Sequence, residues 1–248
     1  MTLLLRLCWL ILICYELVER QVNVQKVGKD AKQENLTNLI RIFLREHPQS
    51  QVNTTLPLSS DYLDFTEAHP LTTYKSAVAT FYAPSDLSGS GGMRKERIRA
   101  VPCWRGSHAR FDTVLLKPNS DPESTSNDEL TVNSFSVARA RLFFSFKYNQ
   151  ASYECALVHD YQVVNPSPDE ITGMAIVKRA MRGSLQRARV VPLNDIVRAV
   201  HLIPVFSEMG TKRIPKKYKY ELTLDSPKLF KRFYVNKFVD HHAFEILS

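Results

Sequence analysis

Val137-Ala-Arg-Ala-Arg-Leu-Phe-Phe-Ser-Phe-Lys-Tyr-Asn-Gln-Ala-Ser-Tyr-Glu-Cys-Ala-Leu157 is a strand, a turn and a returning strand. With a side-chain period of two, Ala138, Ala140, Leu142, Phe144 and Phe146 fall on one face. Val137, Arg139, Arg141, Phe143, Ser145 and Lys147 fall on the other. Asn149-Gln150-Ala151 turns the chain, and Tyr153, Cys155 and Leu157 alternate on the way back. The segment predicts a β-hairpin and sets the class of the fold.

Further strands are expected on either side of it. Lys75 to Ala83, Arg97 to Trp104 and Arg110 to Lys117 precede the hairpin; Thr172 to Lys178, Ala188 to Pro192 and Val197 to Val205 follow it. Phe230 to Ile246 reads as a closing helix or a strand pair. Asn119 to Glu129, polar and acidic with a Pro, reads as a long exposed loop. Leu36, Leu39, Ile40, Phe43 and Leu44 recur at helical spacing, so Glu34 to Glu46 reads as an amphipathic helix that stops at His47-Pro48. The expected fold is α+β and mainly β: short N-terminal helices, then an antiparallel curled sheet or barrel. Residues 1–70 form a helical extension and linker, and 71–248 the β-rich domain.

Leu3 to Val18 is nearly all apolar, broken by Arg6 and Glu16. Three readings stay open: a helix buried in something larger, a signal peptide, or a membrane anchor. Asn35-Leu-Thr and Asn53-Thr-Thr would accept glycans only if the chain were secreted. Cys8, Cys14, Cys103 and Cys155 have neither metal-ligand spacing nor the density of a disulfide framework, so reduced thiols are expected.

The 33 Lys and Arg residues against 25 Asp and Glu give a net charge of +8, unevenly spread. Residues 171–239 hold 15 basic and 4 acidic side chains. Such a concentration points to an anionic partner, nucleic acid ahead of a membrane surface. Lys212, Arg213, Lys216, Lys217 and Lys219 lie beside Tyr218 and Tyr220, which pairs cations for phosphates with rings for bases. Lys228, Lys231, Arg232 and Lys237 lie beside Phe233, Tyr234 and Phe238, of which Phe233 and Phe238 are expected in the core. A second basic group, Arg94, Lys95, Arg97 and Arg99, follows the turn Gly89-Ser-Gly-Gly, which lacks the Gly-Lys-Ser/Thr signature of a nucleotide loop. The nucleic-acid candidates are therefore Lys212, Arg213, Lys216, Lys217, Lys219, Arg94, Lys95 and Arg97.

Catalytic chemistry finds little footing. Asp86, Asp112, Asp160, Asp195 and Asp240 are available for two-metal strand transfer, but none stands in a setting that marks such a framework. Asp240-His241-His242 invites a metal with His201 or His159, yet adjacent residues on a strand point apart. Neither Cys103 nor Cys155 has an activating His-plus-carboxylate pattern. The chain reads as non-catalytic, with no cofactor.

Several stretches together carry a family resemblance, in one order over roughly residues 40–248. They are Ser76-Ala-Val-Ala-Thr-Phe-Tyr-Ala-Pro-Ser-Asp-Leu-Ser-Gly, Gly92-Met-Arg, Ile98-Arg-Ala, Arg110-Phe-Asp, Val137 to Phe146 and Cys155-Ala-Leu-Val-His. Asp169-Glu-x-Thr-Gly-Met, Ile196 to Phe206, and Phe233-Tyr-Val-Asn-Lys-Phe-Val-Asp-His-His-Ala-Phe-Glu-Ile complete the set. The chain resembles the C-terminal tail of large fungal transposases of the Plavaka (CACTA-like) type. That resemblance implies a mobile-element protein acting in the nucleus on DNA or chromatin. In the family the RNase H-like catalytic region lies upstream of the matching stretch, so the resemblance brings no catalytic residues here. It leaves the family's catalytic part as a possible docking partner. The strand layout also resembles, at fold level alone, a chromatin-reading BAH module. A protein-interaction or structural role without nucleic acid is the other class the sequence admits.

Overall fold

The structure, a computed structural model, describes residues 11–47, 64–83, 90–106, 108–117, 135–206 and 230–248. It opens with β1 (Ile11–Asn23), α1 (Val24–Asp30) and α2 (Leu36–Glu46). The strands that follow are β2 (Pro70–Tyr82), β3 (Met93–Trp104), β4 (His108–Phe111), β5 (Thr113–Leu116), β6 (Ser136–Tyr148), β7 (Ala151–Val163) and β8 (Ile176–Arg179). After the small ribbon of β9 (Met181–Arg182) and β10 (Leu185–Gln186) come β11 (Ala188–Pro192), β12 (Ile196–Ala199) and β13 (His201–Pro204). β14 (Arg232–Asn236) and α3 (His241–Leu247) close the described chain. The fold is mainly β, as the hairpin predicted, and the main sheet is antiparallel throughout.

Three long strands make the sheet curl, because each divides one of its edges between two partners. β2 pairs with β1 along one edge, and with β6 at Thr72–Tyr74 and then β3 from Ser76 along the other. β6 pairs with β7 on one side and is shared by β5 and β2 on the other. β7 is shared in turn by β11 and β8. A strand that changes partner midway must bend and twist. No pairing among the described strands closes the sheet into a barrel.

The hairpin departs from simple alternation at one point. Ala140 faces Val158 and Leu142 faces Leu157, so Arg141 is an extra residue, a β-bulge. Before the bulge Ala138 and Ala140 pack into a core with Ile98, Val114 and Val158; after it, Phe143 joins that core. Phe144 and Phe146 pack on the opposite side, with Leu36, Ile40, Phe43 and Phe65. The expected single face Ala138–Phe146 is thus corrected: one inserted residue exchanges the faces, as a register slip does. The turn is Asn149-Gln150, both in the left-handed region at φ 48° and 66°.

α1 and α2 cover one outer face. α2 buries Leu36, Leu39, Ile40, Phe43 and Leu44, and shares a core with β6, β7 and β11. It ends at His47, whose ring stacks on Phe43 at 4.6 Å. α1 starts at Asn23, whose side chain accepts the Lys26 N–H at 2.8 Å. A third core, under α3, joins Leu115, Val137, Tyr161, Val177, Phe233 and Leu247. Fully burying a Phe such as Phe143, Phe144 or Phe233 contributes about 2–3 kcal/mol each.

Other boundaries move for identifiable reasons. The N-terminal apolar run is a strand from Ile11, not a helix; residues 1–10 and Asn53 lie outside the described residues. Its backbone pairs with β2 over Pro70–Thr80, and Ile11-Leu-Ile-Cys-Tyr has the branched and aromatic shape that pleated pairing favours. No helix among the described residues is long and apolar enough to cross a membrane. Arg110 to Lys117 divides at Asp112, and Val197 to Val205 divides at Val200, since β12 pairs with β5 while β13 pairs with β14. The strand expected from Thr172 begins at Ile176, because Asp169 accepts hydrogen bonds from the Thr172 N–H and hydroxyl and folds 169–173 into a turn. The closing segment supplies one strand and one helix, β14 and α3. The acidic loop Asn119 to Glu129 lies outside the described residues.

Candidate nucleic-acid interface

β3, β4 and the chain from β12 to β13 enclose a cleft of about 560 Å³. β3 supplies Arg94, Glu96 and Arg97, β4 supplies Arg110 and Phe111, and β6 supplies Arg139. Tyr161, Phe230 and Phe233 add rings to its interior, and Phe206 stands at its edge, 56% exposed. Five arginines line the cleft against three carboxylates, Glu96, Asp112 and Asp240, so the lining carries a positive excess. Charge of one sign in a concave, low-dielectric wall raises the local concentration of the opposite ion.

Its polar frame is a buried ion network. Arg198, 3% exposed, forks onto Asp240 at 2.6 and 2.9 Å. Glu96 lies 3.9 Å from the Arg198 Nε, and the Arg198 Nη1 lies 3.0 Å from Nδ1 of His242. Arg94 approaches Asp240 from β3 at 3.5 Å. Asp240 also caps α3, accepting the Ala243 N–H at 2.7 Å. Burial works against its ionisation, but the Arg198 hydrogen bond, the Ala243 N–H and Arg94 outweigh it and hold the carboxyl at about 2. Burial, then the field of Arg198, pushes His242 down to about 4, so its ring packs neutral on Phe81 at 4.6 Å. Burial raises Glu96 against the pull of Arg198 and the Ala199 N–H.

A second cationic zone lies behind Phe111. The Arg141 guanidinium sits 3.9 Å from that ring, with Arg139 at 5.8 Å. Burial lowers Arg141, and Arg139 adds to the effect. The Nε of Arg141 is buried without a hydrogen-bond partner. His159, opposite Arg139 in the sheet, is driven to about 4 by burial and by the two arginines. At the β3–β4 turn, Trp104 is ringed by Arg99 at 4.6 Å, Arg110 at 5.4 Å and Arg105 at 5.5 Å.

Of the sequence candidates, Arg94 and Arg97 line the cleft. Lys95 lies between them on β3, exposed and outside the lining. Lys212, Arg213, Lys216, Lys217 and Lys219 lie outside the described residues. Phe233 is in the core as expected; Phe238 is 59% exposed and corrects the expectation for it. Phe238 instead meets Phe244 at 5.9 Å, with the Lys237 ammonium 5.6 and 5.3 Å from the two rings. Sequence reading passed over Arg110, Arg139 and Arg198. The signal for Arg139 was visible as a cation in a strand of otherwise core-forming spacing.

Of the aspartates the sequence offers for metal chemistry, Asp86 lies outside the described residues, while Asp112, Asp160 and Asp240 have other partners. Asp112 accepts from Arg110 and the Arg99 N–H, and Asp160 from Arg187 and Arg189, both at 2.9 Å. Asp240-His241-His242 serves as cap and core rather than as a ligand run, with His241 exposed. No group of three or more His, Cys, Asp or Glu able to hold a metal ion occurs among the described residues. The glycine turn is described only at Ser90–Gly92, where Gly91 and Gly92 take φ 62° and 74°. Cys103 is exposed and Cys155 buried, both as free thiols. Compared with protein families, characterised proteins and solved structures, the chain matches none.

Proposed function

We propose that this chain is a non-catalytic module that associates with DNA or chromatin, derived from the C-terminal region of a fungal Plavaka-type transposase. It works in the nucleus, on its own or docked to the transposase catalytic part. The observation that carries the reading is the cleft that gathers Arg94, Arg97, Arg110 and Arg139 around aromatic side chains. Arginine forks suit phosphate oxygens, and a positive wall attracts a polyanion without any reactive group. The lysine-rich stretch from Lys212 to Lys219 supports the reading by composition.

Salt-dependent binding of the full chain to labelled DNA tests it. Affinity should fall steeply with salt, and each phosphate-contacting cation replaced by Ala should flatten the log–log slope by about 0.7–0.9. Two variants separate the two basic regions: one with Arg94, Arg97 and Arg110 changed to Ala, the other with Lys212, Arg213, Lys216, Lys217 and Lys219 changed to Ala. Affinity undetectable at low salt, or unchanged in both variants, refutes the proposal.

A further inference from the structure

From the shape and lining of the cleft we infer that it takes single-stranded nucleic acid in preference to duplex, with Phe206 as a base-stacking platform at its edge. The inference rests on the nucleic-acid reading above and narrows it to one class of substrate.

Shape is the first ground. A protein reads a duplex by pushing a helix or ribbon outward into the major groove. Here the arginines converge on a hollow. Its volume, about 560 Å³, is on the scale of sites that enclose one compact ligand, roughly 300–1,000 Å³. A rigid double helix would lie across the mouth of such a hollow, touching only the rim. A flexible strand can lower a phosphate and its base into it.

The rings are the second ground. Paired bases in a duplex already stack on one another, so an exposed ring reaches their faces only by unstacking them, at a cost in free energy for each step. Unpaired bases offer free faces, and sequence-tolerant strand binding joins a cationic track to such rings. Phe206 has this placing: it lines the cleft, is 56% exposed, and leans edge-on against the buried Phe230 at 5.0 Å, which fixes its orientation. A second exposed pair, Phe238 and Phe244 with Lys237 beside both, adjoins Val239, which lines the cleft. It offers a continuation for the next base.

The full chain is titrated with labelled oligothymidylate and with a duplex of equal length in one buffer. The single strand should bind at least about tenfold more tightly, with a salt slope near −0.7 for each phosphate held. Phe206→Ala should weaken it by about 5- to 150-fold, the range of one stacked base. Phe206→Leu should not rescue, and Phe206→Trp should restore binding with indole fluorescence quenched by the strand. Phe238→Ala, on an exposed ring, gives a second reading should Phe206 variants lose their fold by circular dichroism. Equal or tighter duplex binding, or strand affinity indifferent to Phe206 and Phe238, overturns the inference while leaving the nucleic-acid reading standing. Absence of binding to either probe at low salt overturns both.

Discussion

At the scale of single residues, the buried Arg198 cluster has the most to lose. Three elements meet at its guanidinium: β12 carries it, β3 brings Glu96, and the start of α3 brings Asp240 and His242. Arg198→Met leaves Glu96 and Asp240 without their buried cation, with only the half-exposed Arg94 still near Asp240, and should cost about 3–5 kcal/mol in urea unfolding. Acid should act through the imidazoles. His242 and His159 ordinarily titrate near 6.5 and sit at about 4 in the fold. The unfolded chain therefore takes up protons first as pH falls, and stability present above about 6.5 drains away down to about 4. Asp240, held at about 2, extends the loss below its usual 3.8, whereas Glu96, raised by burial, adds stability on the acid side and tempers it. Unfolding midpoints of His242→Phe across this range should show a shallower acid limb; an unchanged limb would remove His242 from the account. None of this was legible beforehand. Asp-His-His looks alike in sequence whether it caps a helix or binds an ion, and only the partner at Arg198, over 40 positions away, decides.

At the scale of elements, alternation and turn chemistry made the hairpin readable, and a single inserted residue escaped notice. Arg141 was assigned a face by parity; in the sheet it is the bulge that hands Phe144 and Phe146 to a different core. Deleting Arg141 should therefore be ruinous, since it turns those phenylalanines to the wrong side, with a loss above about 4 kcal/mol or no folding at all. Arg141→Met keeps the bulge, removes a buried Nε that lacks a partner, and should be neutral or stabilising by about 1 kcal/mol. Similar outcomes for the two variants would show that side chain, not spacing, is what matters there. The turn offers a gain. Gln150 holds φ 66°, where a Cβ is strained, so Gln150→Gly should raise stability by about 0.5–1 kcal/mol in denaturant unfolding. The N-terminal run misled for a related reason: its apolarity is compatible with either a helix or a strand, and the pairing edge of β2 that selects the strand lies more than 50 residues away.

At the scale of the whole molecule, the mainly β architecture and the excess of cations were legible, the gathering of those cations was not. Arg94, Arg110, Arg139 and Arg198 come from four strands and converge only because β2, β6 and β7 bend the sheet. No local pattern announces such a convergence. Exposed lysines in a run are easy to see in a sequence, while arginines spaced tens of residues apart need the fold. Charge reversal should be felt accordingly: Arg97→Glu should lower DNA affinity by at least about tenfold at low salt while leaving the far-ultraviolet circular dichroism spectrum unchanged.

The pairing of β1 with β2 bears on any processing of the polypeptide. Proteolysis just ahead of Val24 would strip away a flank of the sheet and bare the amides and carbonyls from Pro70 to Thr80. Such an unsealed margin invites a like strand from a neighbouring molecule. A trimmed product would thus be pushed towards self-association.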